Sequence, residues 1–401
     1  LSIASSLIVS GCGEDKTTSN DAIQTNSELA KTIATNTIII DTHIDVPYRL
    51  NHKWEDISAA TETGNFDYPR AVAGGLDAPF MSIYIPADFQ KTGGAKELAD
   101  KLIDDMEKVV ASAPDKFMIA KSVADVETAF ASGKIALPMG MENGAALEGS
   151  FDNLKHFHER GIRYITLTHS KWNHISDSSY DPDKHWGGLS DFGKELVVAM
   201  NNIGVMVDIS HVSDDTFWQV MDIAKVAPIA SHSSARHFTP GFERNMSDDM
   251  IKRLAEAGGV IMINYGSSFL TAQANEYGKP REIAYEAWLT ASGTEKSDEA
   301  EDAFDAQWKI EHPFPYADLS DVLDHIDHVI KITGSVDFVG IGSDYDGVGD
   351  SLPTGLKDVS SYPKVIEGLL ERGYSQEDIK KILSGNLLRV WRQVEAYASA
   401  N

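Results

Sequence analysis

The sequence contains a single cysteine, Cys12, among its 401 residues. An intrachain disulfide is therefore excluded, and so is a zinc site built from several thiolates. Any metal bound by this chain must be held by histidine, aspartate and glutamate, of which the sequence has ample numbers, with 13 histidines and 61 acids. This restricts a metal site to nitrogen and oxygen ligands.

Basic residues are also scarce. Only 35 lysines and arginines face those 61 acids, which leaves a formal net charge of −26. A chain of this charge repels phosphate backbones and anionic lipids, so we expect no nucleic-acid partner. Much of the acidity is expected at the solvated surface, but a few clustered carboxylates are tolerable inside a site when a cation neutralises them.

Glycine-rich phosphate loops and internal repeats are both missing, so a nucleotide cofactor is not indicated. Outside the first residues, no segment reaches the ~18 uncharged apolar residues that a membrane span requires. With 42% hydrophobic residues, the chain can still bury a large core.

The apolar run Leu7–Cys12 ends in small residues and the lone cysteine, as the end of a bacterial lipoprotein signal does. The polar stretch 13–21 that follows is typical of a tether. We therefore interpret residues 1–35 as a signal remnant and flexible tether. Cys12 would carry the lipid, and the protein would be exported, periplasmic and anchored to a bacterial membrane. A frayed terminus with a chance apolar patch is the alternative.

Eight short β-branched runs alternate with longer amphipathic stretches over residues 36–398, a pattern typical of repeated βα units. The runs are Thr37–Ile44, Phe80–Ile85, Ile135–Met141, Tyr164–Thr168, Val205–Ile209, Pro228–Ser231, Val260–Asn264 and Phe338–Gly342. Eight such units predict an α/β protein with a closed (β/α)8 TIM barrel. An acidic, helix-prone insertion, residues 267–317, separates the last two runs and lies where a lid over the active end would be.

Side chains able to bind metals recur where these apolar runs stop. They are His43 and Asp45 after the first run, Glu142 after the third, His169 after the fourth, His211 after the fifth, His232 after the sixth and Asp344 after the eighth. Each residue taken singly has a structural explanation, such as a hydrogen-bonded core histidine or a charge at a loop end. In a barrel, however, these strand ends converge on one pocket.

The ligand types in this set point to zinc or a neighbouring metal, because the set is too rich in nitrogen for a calcium cage. Two cations about 3.5–4 Å apart need a shared anionic ligand, and Glu142 is the available candidate. Such a pair lowers the pKa of a bridging water enough to provide hydroxide near neutrality.

Seven segments resemble the motifs of the renal (membrane) dipeptidase family, a branch of the binuclear metallo-hydrolase barrels. They occur in the family's order across roughly residues 36 to 395, at 41–45, 167–169, 208–213, 231–235, 244–245, 340–347 and 385–390. The resemblance implies a zinc-dependent dipeptidase that cleaves the single amide of a dipeptide with a metal-bridging hydroxide, including dipeptides with a C-terminal D-residue. It also implies a homodimer.

The same resemblance implies a role for each matching residue. His43 and Asp45 would bind the first of two Zn²⁺ ions, His211 and His232 the second, and Glu142 would bridge them. Asp344 would take the proton of the attacking water and pass it to the leaving amine. His169 would stabilise the oxygen of the tetrahedral intermediate, and Arg244 would pair with the substrate's C-terminal carboxylate.

Alternatives to these assignments remain open at the level of sequence. Arg236 lies close enough to Arg244 to compete for the carboxylate. A mononuclear deaminase, or another amidohydrolase-like enzyme acting on a cyclic amide, would use a similar set of ligands. A non-catalytic binding lipoprotein that has kept the barrel is a third reading.

Overall fold

The computed structural model describes residues 24–401, so Cys12 and most of the expected tether lie outside the described residues. The described part has ten strands: β1 (Ile40–Ile44), β2 (Ala78–Tyr84), β3 (Phe117–Ile119), β4 (Ile135–Leu137), β5 (Met139–Glu142), β6 (Ile162–Thr166), β7 (Met206–Asp208), β8 (Ile229–Ala230), β9 (Val260–Ile263) and β10 (Val339–Ile341).

Helices follow nearly every strand. They are α1 (Asn26–Asn36), α2 (Val46–His52), α3 (Tyr68–Gly74), α4 (Phe89–Thr92), α5 (Ala95–Ser112), α6 (Val123–Ala131), α7 (Phe151–Arg160), α8 (Asp191–Ile203), α9 (Asp214–Ile223), α10 (Asp248–Glu256), α11 (Ser267–Leu270), α12 (Ala272–Glu276), α13 (Gly278–Ser292), α14 (Asp298–Glu311), α15 (Leu319–Thr333), α16 (Tyr362–Glu371), α17 (Gln376–Lys380) and α18 (Asn386–Ala400). None of the helices in residues 24–401 is long and apolar enough to cross a membrane.

Eight strands form one parallel sheet in the order β1-β2-β5-β6-β7-β8-β9-β10. Its two edges meet where the backbone N–H of Asp45 donates to the carbonyl of Tyr345 (2.9 Å) and that of Asp344 donates to the carbonyl of His43 (3.1 Å). These bonds bring the carboxyl ends of β1 and β10 together. The predicted (β/α)8 barrel is confirmed.

The third predicted run is split by Pro138, which has no N–H to donate to a sheet. On one side of it, β4 pairs with β3 in a separate two-stranded sheet. On the other side, β5 joins the barrel between β2 and β6. The three-residue strand β3 was not predicted, because its sequence is too short to show a period.

The folded part begins before residue 36, the residue at which the barrel was predicted to start. Thr25 and Glu28 form a capping box that starts α1. This helix buries Ala30, Ile33 and Ala34 and packs along α16. The predicted tether is therefore wrong for residues 26–35, where a short amphipathic helix was missed beside the polar stretch.

The barrel interior is apolar at one end and polar at the other. Because strands have a two-residue period, side chains two positions apart on one strand both point into the interior and form successive layers. The apolar layer includes Phe80, Tyr164, Met206 and Met262 and packs against α18, where the rings of Phe80 and Trp391 lie 5.3 Å apart. Two residues further along the same strands or just beyond them come Ser82, Thr166, Asp208 and Asn264, all fully buried. The polar layer is thus built at the carboxyl ends.

The predicted insertion is helical, as expected, and comprises α11 to α14. α13 and α14 pack on one another around their own small cluster of Tyr285, Leu289, Ala300 and Phe304. The start of the insertion lines a pocket at the carboxyl end of the barrel through Ser268 and Phe269 of α11, and near its end Tyr316 donates to Asp350 in the loop after β10.

Candidate active site

All seven predicted strand-end residues lie at the carboxyl end of the barrel. Five of them line a pocket of about 880 Å³: Asp45, Glu142, His169, His211 and Asp344. His43 and His232 lie beneath its floor and are essentially inaccessible, at 0% and 1% exposure. The convergence expected from the barrel geometry is therefore present.

Glu142, the last residue of β5, lies at the centre of the cluster. Its Oε2 is 3.4 Å from Nε2 of His43, and its Oε1 is 3.0 Å from Nε2 of His211 and 3.3 Å from Nε2 of His232. Burial opposes ionisation of this carboxyl, but His43, His169 and the close ring nitrogens of His211 and His232 hold its pKa well below its usual value. Its Oε2 therefore faces His43, whereas its Oε1 faces His211 and His232.

His43 is held in one orientation by the hydroxyl of Tyr164. That hydroxyl donates to the carbonyl of Thr42 (3.0 Å), so it accepts from Nδ1–H of His43 (2.8 Å). In the neutral ring, a proton on Nδ1 leaves a lone pair on Nε2, which is buried and has no hydrogen-bond partner in residues 24–401. This nitrogen lies 3.5 Å from Asp45 and 4.0 Å from Asp344. Together with Glu142, three carboxylates therefore surround a nitrogen that is able to bind a metal ion.

His211 and His232 bring their Nε2 atoms within 2.9 Å of each other. Burial, together with Arg244 and neighbouring imidazoles, lowers the pKa of both well below the usual value, so both rings are neutral. Two neutral nitrogens at that distance repel unless a proton or a cation lies between them. His211 also adopts a φ of 68°, an unusual backbone conformation for a non-glycine residue that re-aims its ring after β7.

Asp344 follows β10 and has a left-handed φ of 65°. Its Oδ2 accepts from the side-chain amide of Asn264 (2.7 Å), which leaves Oδ1 facing the cluster. Burial raises the pKa of Asp344 to about 7, and Asp45 and Glu142 add to that shift. A Cβ at Gly347 would lie 2.2 Å from Asp45 Oδ2 and 2.3 Å from Asp344 Oδ1, so only glycine leaves room for both carboxylates here.

These atoms suit divalent cations with nitrogen and oxygen ligands. The groups His43–Asp45–Asp344, His43–Glu142–His232 and Glu142–His169–His211 each offer three donor atoms within 4.8 Å of one another. An orphaned buried nitrogen, two facing imidazoles and three closely spaced carboxylates are each costly without positive charge. A bound cation removes all three costs, so the residues fit a metal centre.

His169, in the loop after β6, lies at the pocket side of this cluster. Its Nε2 is 3.5 Å from Oε1 of Glu142, and the edge of its ring contacts Tyr84. Burial lowers the pKa of His169 despite the opposing effect of Glu142, so the ring is neutral near pH 7. It remains partly exposed, with 20% of its side chain open to the pocket.

The structure separates the two candidate arginines. Arg244 is buried, donates to the carbonyl of His232 and to Oγ of Ser233 (both 2.7 Å), and lies over the ring of Phe269. Arg236 instead forms a bidentate ion pair with Asp214, with hydrogen bonds of 2.7 and 2.6 Å. Arg244 is thus the arginine that the fold brings to the metal cluster.

Some pocket residues were missed from the sequence. The wall is formed partly by Tyr84, at the end of β2, by Tyr48 of α2, and by Lys171 and Tyr180 in loops whose paths no periodicity predicts. Asn264 could have been found, because it is the polar residue at which the seventh predicted run ends, at the same end of the barrel as the metal-competent residues.

Histidines outside the site have structural contacts. His325 accepts from the backbone N–H of Ala235 and donates to the carbonyl of Leu270, and burial lowers its pKa to about 4. His328 pairs with Asp248 (2.8 Å) and stacks on His237.

The sequence is similar to those of known dipeptidases. The sequence profile of the membrane dipeptidase family, peptidase family M19, matches residues 27–401. The chain is 31% identical to dipeptidase 3 of Mus musculus over 366 residues, which cover 89% of this chain and 64% of the mouse protein. It is 34% identical to dipeptidase tcpJ of Claviceps purpurea (strain 20.1) over 344 residues, covering 84% and 71%. The chain spans just under two thirds of the mouse relative's length.

Solved structures share the fold. The probable dipeptidase PvdM from Pseudomonas aeruginosa aligns with a TM-score of 0.81 at 26% identity, covering 93% of this chain and 99% of that one. A metallopeptidase from Rhodobacter sphaeroides, solved with a phosphinate mimic of the dipeptide L-Ala-D-Ala, aligns with a TM-score of 0.73 at 23% identity, covering 90% and 100%. Together with the family profile and the cluster around Glu142, these findings show that the chain belongs to the membrane dipeptidase family of metallopeptidases.

Proposed function

We propose that this protein is a dipeptidase that uses two zinc ions to hydrolyse the amide bond of dipeptides. The observation that carries the proposal is the position of Glu142, whose two oxygens lie between His43 on one side and the His211 and His232 pair on the other. A bridging carboxylate is what two cations about 3.5–4 Å apart require. Zinc fits best because the ligands are imidazoles and carboxylates.

When bound, the ions supply Lewis-acid polarisation of the scissile carbonyl and a water of lowered pKa. Hydrolysis adds that water to the carbonyl carbon and breaks the C–N bond, so one proton must move from water to the leaving amine. Asp344 is the group for this transfer, because it is a carboxylate whose Oδ1 faces the cluster, within reach of the reacting water. Asn264 holds the other oxygen still.

Two further side chains would position the substrate. Arg244 offers a guanidinium with a bidentate fit to a carboxylate, which explains how the enzyme would require a free C-terminus. His169, neutral and open to the pocket, would donate a hydrogen bond to the oxygen that gains negative charge. Arg244 lies on one side of the metal cluster. A substrate whose C-terminal carboxylate is held by Arg244 would reach the metal cluster with its nearest peptide bond only, which selects substrates with one peptide bond.

The substrate range would include dipeptides with a C-terminal D-residue. The Rhodobacter metallopeptidase, solved with a mimic of L-Ala-D-Ala, supports this choice, since it shares the fold over 90% of the chain. In a periplasmic setting, cell-wall dipeptides would supply such substrates, and β-lactam rings, which carry a strained amide, would be a side activity.

The direct test combines metal analysis with turnover. The purified protein should contain two zinc ions per chain and should hydrolyse L,L and L,D dipeptides, while N-acetylated tripeptides and C-terminally amidated dipeptides stay uncut. A single tightly held ion together with turnover of cyclic amides would favour the deaminase-like alternative. Absence of turnover across the panel by the two-zinc protein would contradict a catalytic role.

We also propose export and lipid anchoring at Cys12, with assembly as a homodimer. The support is the apolar run that ends at this lone cysteine, and the family resemblance for the dimer. Mass spectrometry of the protein from its native cells should find Cys12 as a lipid-modified N-terminus, and light scattering should give twice the chain mass. An unmodified Cys12 inside a longer mature chain would contradict the anchor.

A further inference from the structure

Asp208, at the end of β7, is fully buried beside the metal cluster but is not itself a ligand. Its Oδ2 accepts from the hydroxyls of Thr166 (2.5 Å) and Ser231 (2.6 Å). Its Oδ1 accepts from the backbone N–H groups of Ser231 (2.8 Å) and Ser210 (3.1 Å). Four donors meet this side chain, so it serves only as an acceptor, as an ionised carboxylate does.

The hydroxyl of Ser231 connects this carboxylate to a metal-binding histidine. Ser231 has one hydroxyl proton, which it gives to Asp208, yet its Oγ also lies 2.7 Å from Nδ1 of His232. That second bond therefore needs its proton from the imidazole, which places the hydrogen on Nδ1. The lone pair is then on Nε2, the atom that faces Glu142 and His211.

The other histidines of the cluster are held differently. Tyr164 orients His43, but its chain of hydrogen bonds ends at a backbone carbonyl rather than at a charge. Nδ1 of His211 is buried and has no hydrogen-bond partner in residues 24–401. Of the three rings, His232 alone is connected to a carboxylate through Nδ1 in this part of the chain.

We propose that Asp208 and Ser231 are positioning residues that fix the tautomer and orientation of His232, and so control how tightly the ion on the His211 and His232 side is held. The inference rests on the proposed two-ion site. Outer hydrogen-bond partners of metal-binding histidines are worth about 10–100-fold in metal affinity. Replacing Asp208 by Asn should have a larger effect, because its amide would force the Ser231 hydroxyl to donate to Nδ1 and put the ring proton on Nε2.

The test uses the zinc-loaded protein and a chromophoric chelator that reports each ion as it leaves. In S231A, one of the two ions should be held about 10–100-fold more weakly while the other is retained as in the wild type. D208N should lose that ion more completely. T166V is the matched control, since it removes the other hydroxyl from the same carboxylate oxygen without contact to His232, and it should retain both ions.

A second readout does not depend on activity. In protein labelled with ¹⁵N-histidine, the zinc-loaded wild type should show a protonated Nδ1 for His232, and S231A should lose the slow solvent exchange of that proton. Circular dichroism checks that each variant is folded, and S231A decides the matter if D208N does not fold.

The outcomes separate the inference from the proposed function. Equal zinc retention by wild type and S231A, or equal losses in S231A and T166V, would overturn the positioning role while leaving the dipeptidase proposal in place. A wild-type protein that binds fewer than two zinc ions would overturn both.

Discussion

At the scale of single residues, the site depends on a few atoms held in unusual states. Asp344 is a carboxyl with a pKa raised to about 7 by burial, and His43 has a buried Nε2 without a hydrogen-bond partner in the described residues. Asp344 and His211 both have positive φ angles, which costs roughly 1–3 kcal/mol each. Such strain persists where the surrounding structure holds it in place, as Asn264 does for Asp344.

Asp344→Asn should leave both metal sites filled and remove most activity. The amide keeps the size of the side chain and its oxygen can still accept from Asn264, but it cannot take up the proton of the attacking water. We expect kcat to fall by about 10²–10⁴-fold with zinc content unchanged, measured by steady-state kinetics and metal analysis. Turnover near the wild-type rate would show that another group moves the proton.

Arg244→Lys should separate recognition of the C-terminus from the chemistry. Lysine keeps the positive charge but loses the two parallel N–H groups that fit a carboxylate. KM for free dipeptides should rise by roughly 10–100-fold, a loss of about 1.4–2.7 kcal/mol, because a charged hydrogen bond is weakened. Arg236→Lys is the comparison, and an equal rise in KM there would contradict the assignment of Arg244.

At the scale of elements, several barrel strands carry an apolar inward residue and, two positions later, a polar one, so one strand contributes to both the core and the site. Pro138 shows how local chemistry divides such an element, since β4 and β5 belong to different sheets. The loop before β2 holds a half-buried acid, Asp77, whose Oδ2 accepts from the backbone N–H of Ile39 (2.8 Å). Burial raises the pKa of Asp77 to about 7.

Asp77→Asn should stabilise the protein in a pH-dependent way. The folded-state pKa lies above the unfolded value of 3.8, so the wild type loses stability as pH rises from about 4 to 7, whereas asparagine stays neutral. Because the side chain is partly exposed, we expect a gain of about 1–2 kcal/mol at pH 8 and almost none at pH 4.

Urea denaturation at the two pH values measures this effect. Asp115→Asn serves as the control, because it removes the same charge from an exposed position. A gain for Asp77→Asn that is the same at pH 4 and pH 8, or that is matched by Asp115→Asn, would contradict the prediction.

At the scale of the whole molecule, the metal centre joins both edges of the sheet. His43 and Asp45 come from β1 and Asp344 follows β10, the two strands at which the barrel closes. Glu142 and the other histidines come from strands on the far side of the ring. Cations held between these strands bind the folded state only, so their affinity adds to the free energy of unfolding.

Chelation should therefore destabilise the entire barrel. Removal of zinc with EDTA should lower Tm by ~5–10 °C, since each ion at 1,000 times its Kd contributes about 4 kcal/mol. Zinc added after dialysis should restore Tm, whereas calcium should not, because the site is rich in nitrogen ligands. Differential scanning calorimetry measures both steps, and a Tm insensitive to EDTA in protein shown to have lost its zinc would contradict the coupling.

Much of this architecture follows from short-range patterns in the sequence. The eight runs were located within a few residues, and the amphipathic stretches between them indicated helices, because burial forces a period of two on strands and 3.6 on helices. The types of the metal-competent residues and their places after the runs were also available, since strand ends of a parallel barrel meet by geometry. What failed were short or locally atypical elements, namely β3, α1 and the split at Pro138.

The sequence by itself determined which side chains would meet and at which end of the barrel, because covalent order and periodicity fix both. Only the tertiary structure decided how they meet. It turned the two oxygens of Glu142 toward different histidines, paired Arg236 with Asp214 while it buried Arg244 beside His232, and placed Tyr164 and Ser231 against Nδ1 of His43 and of His232. Most of these contacts join residues about 20 to 120 positions apart, and the contact between Ser231 and His232 depends on the conformation of one loop. No local sequence pattern encodes either kind.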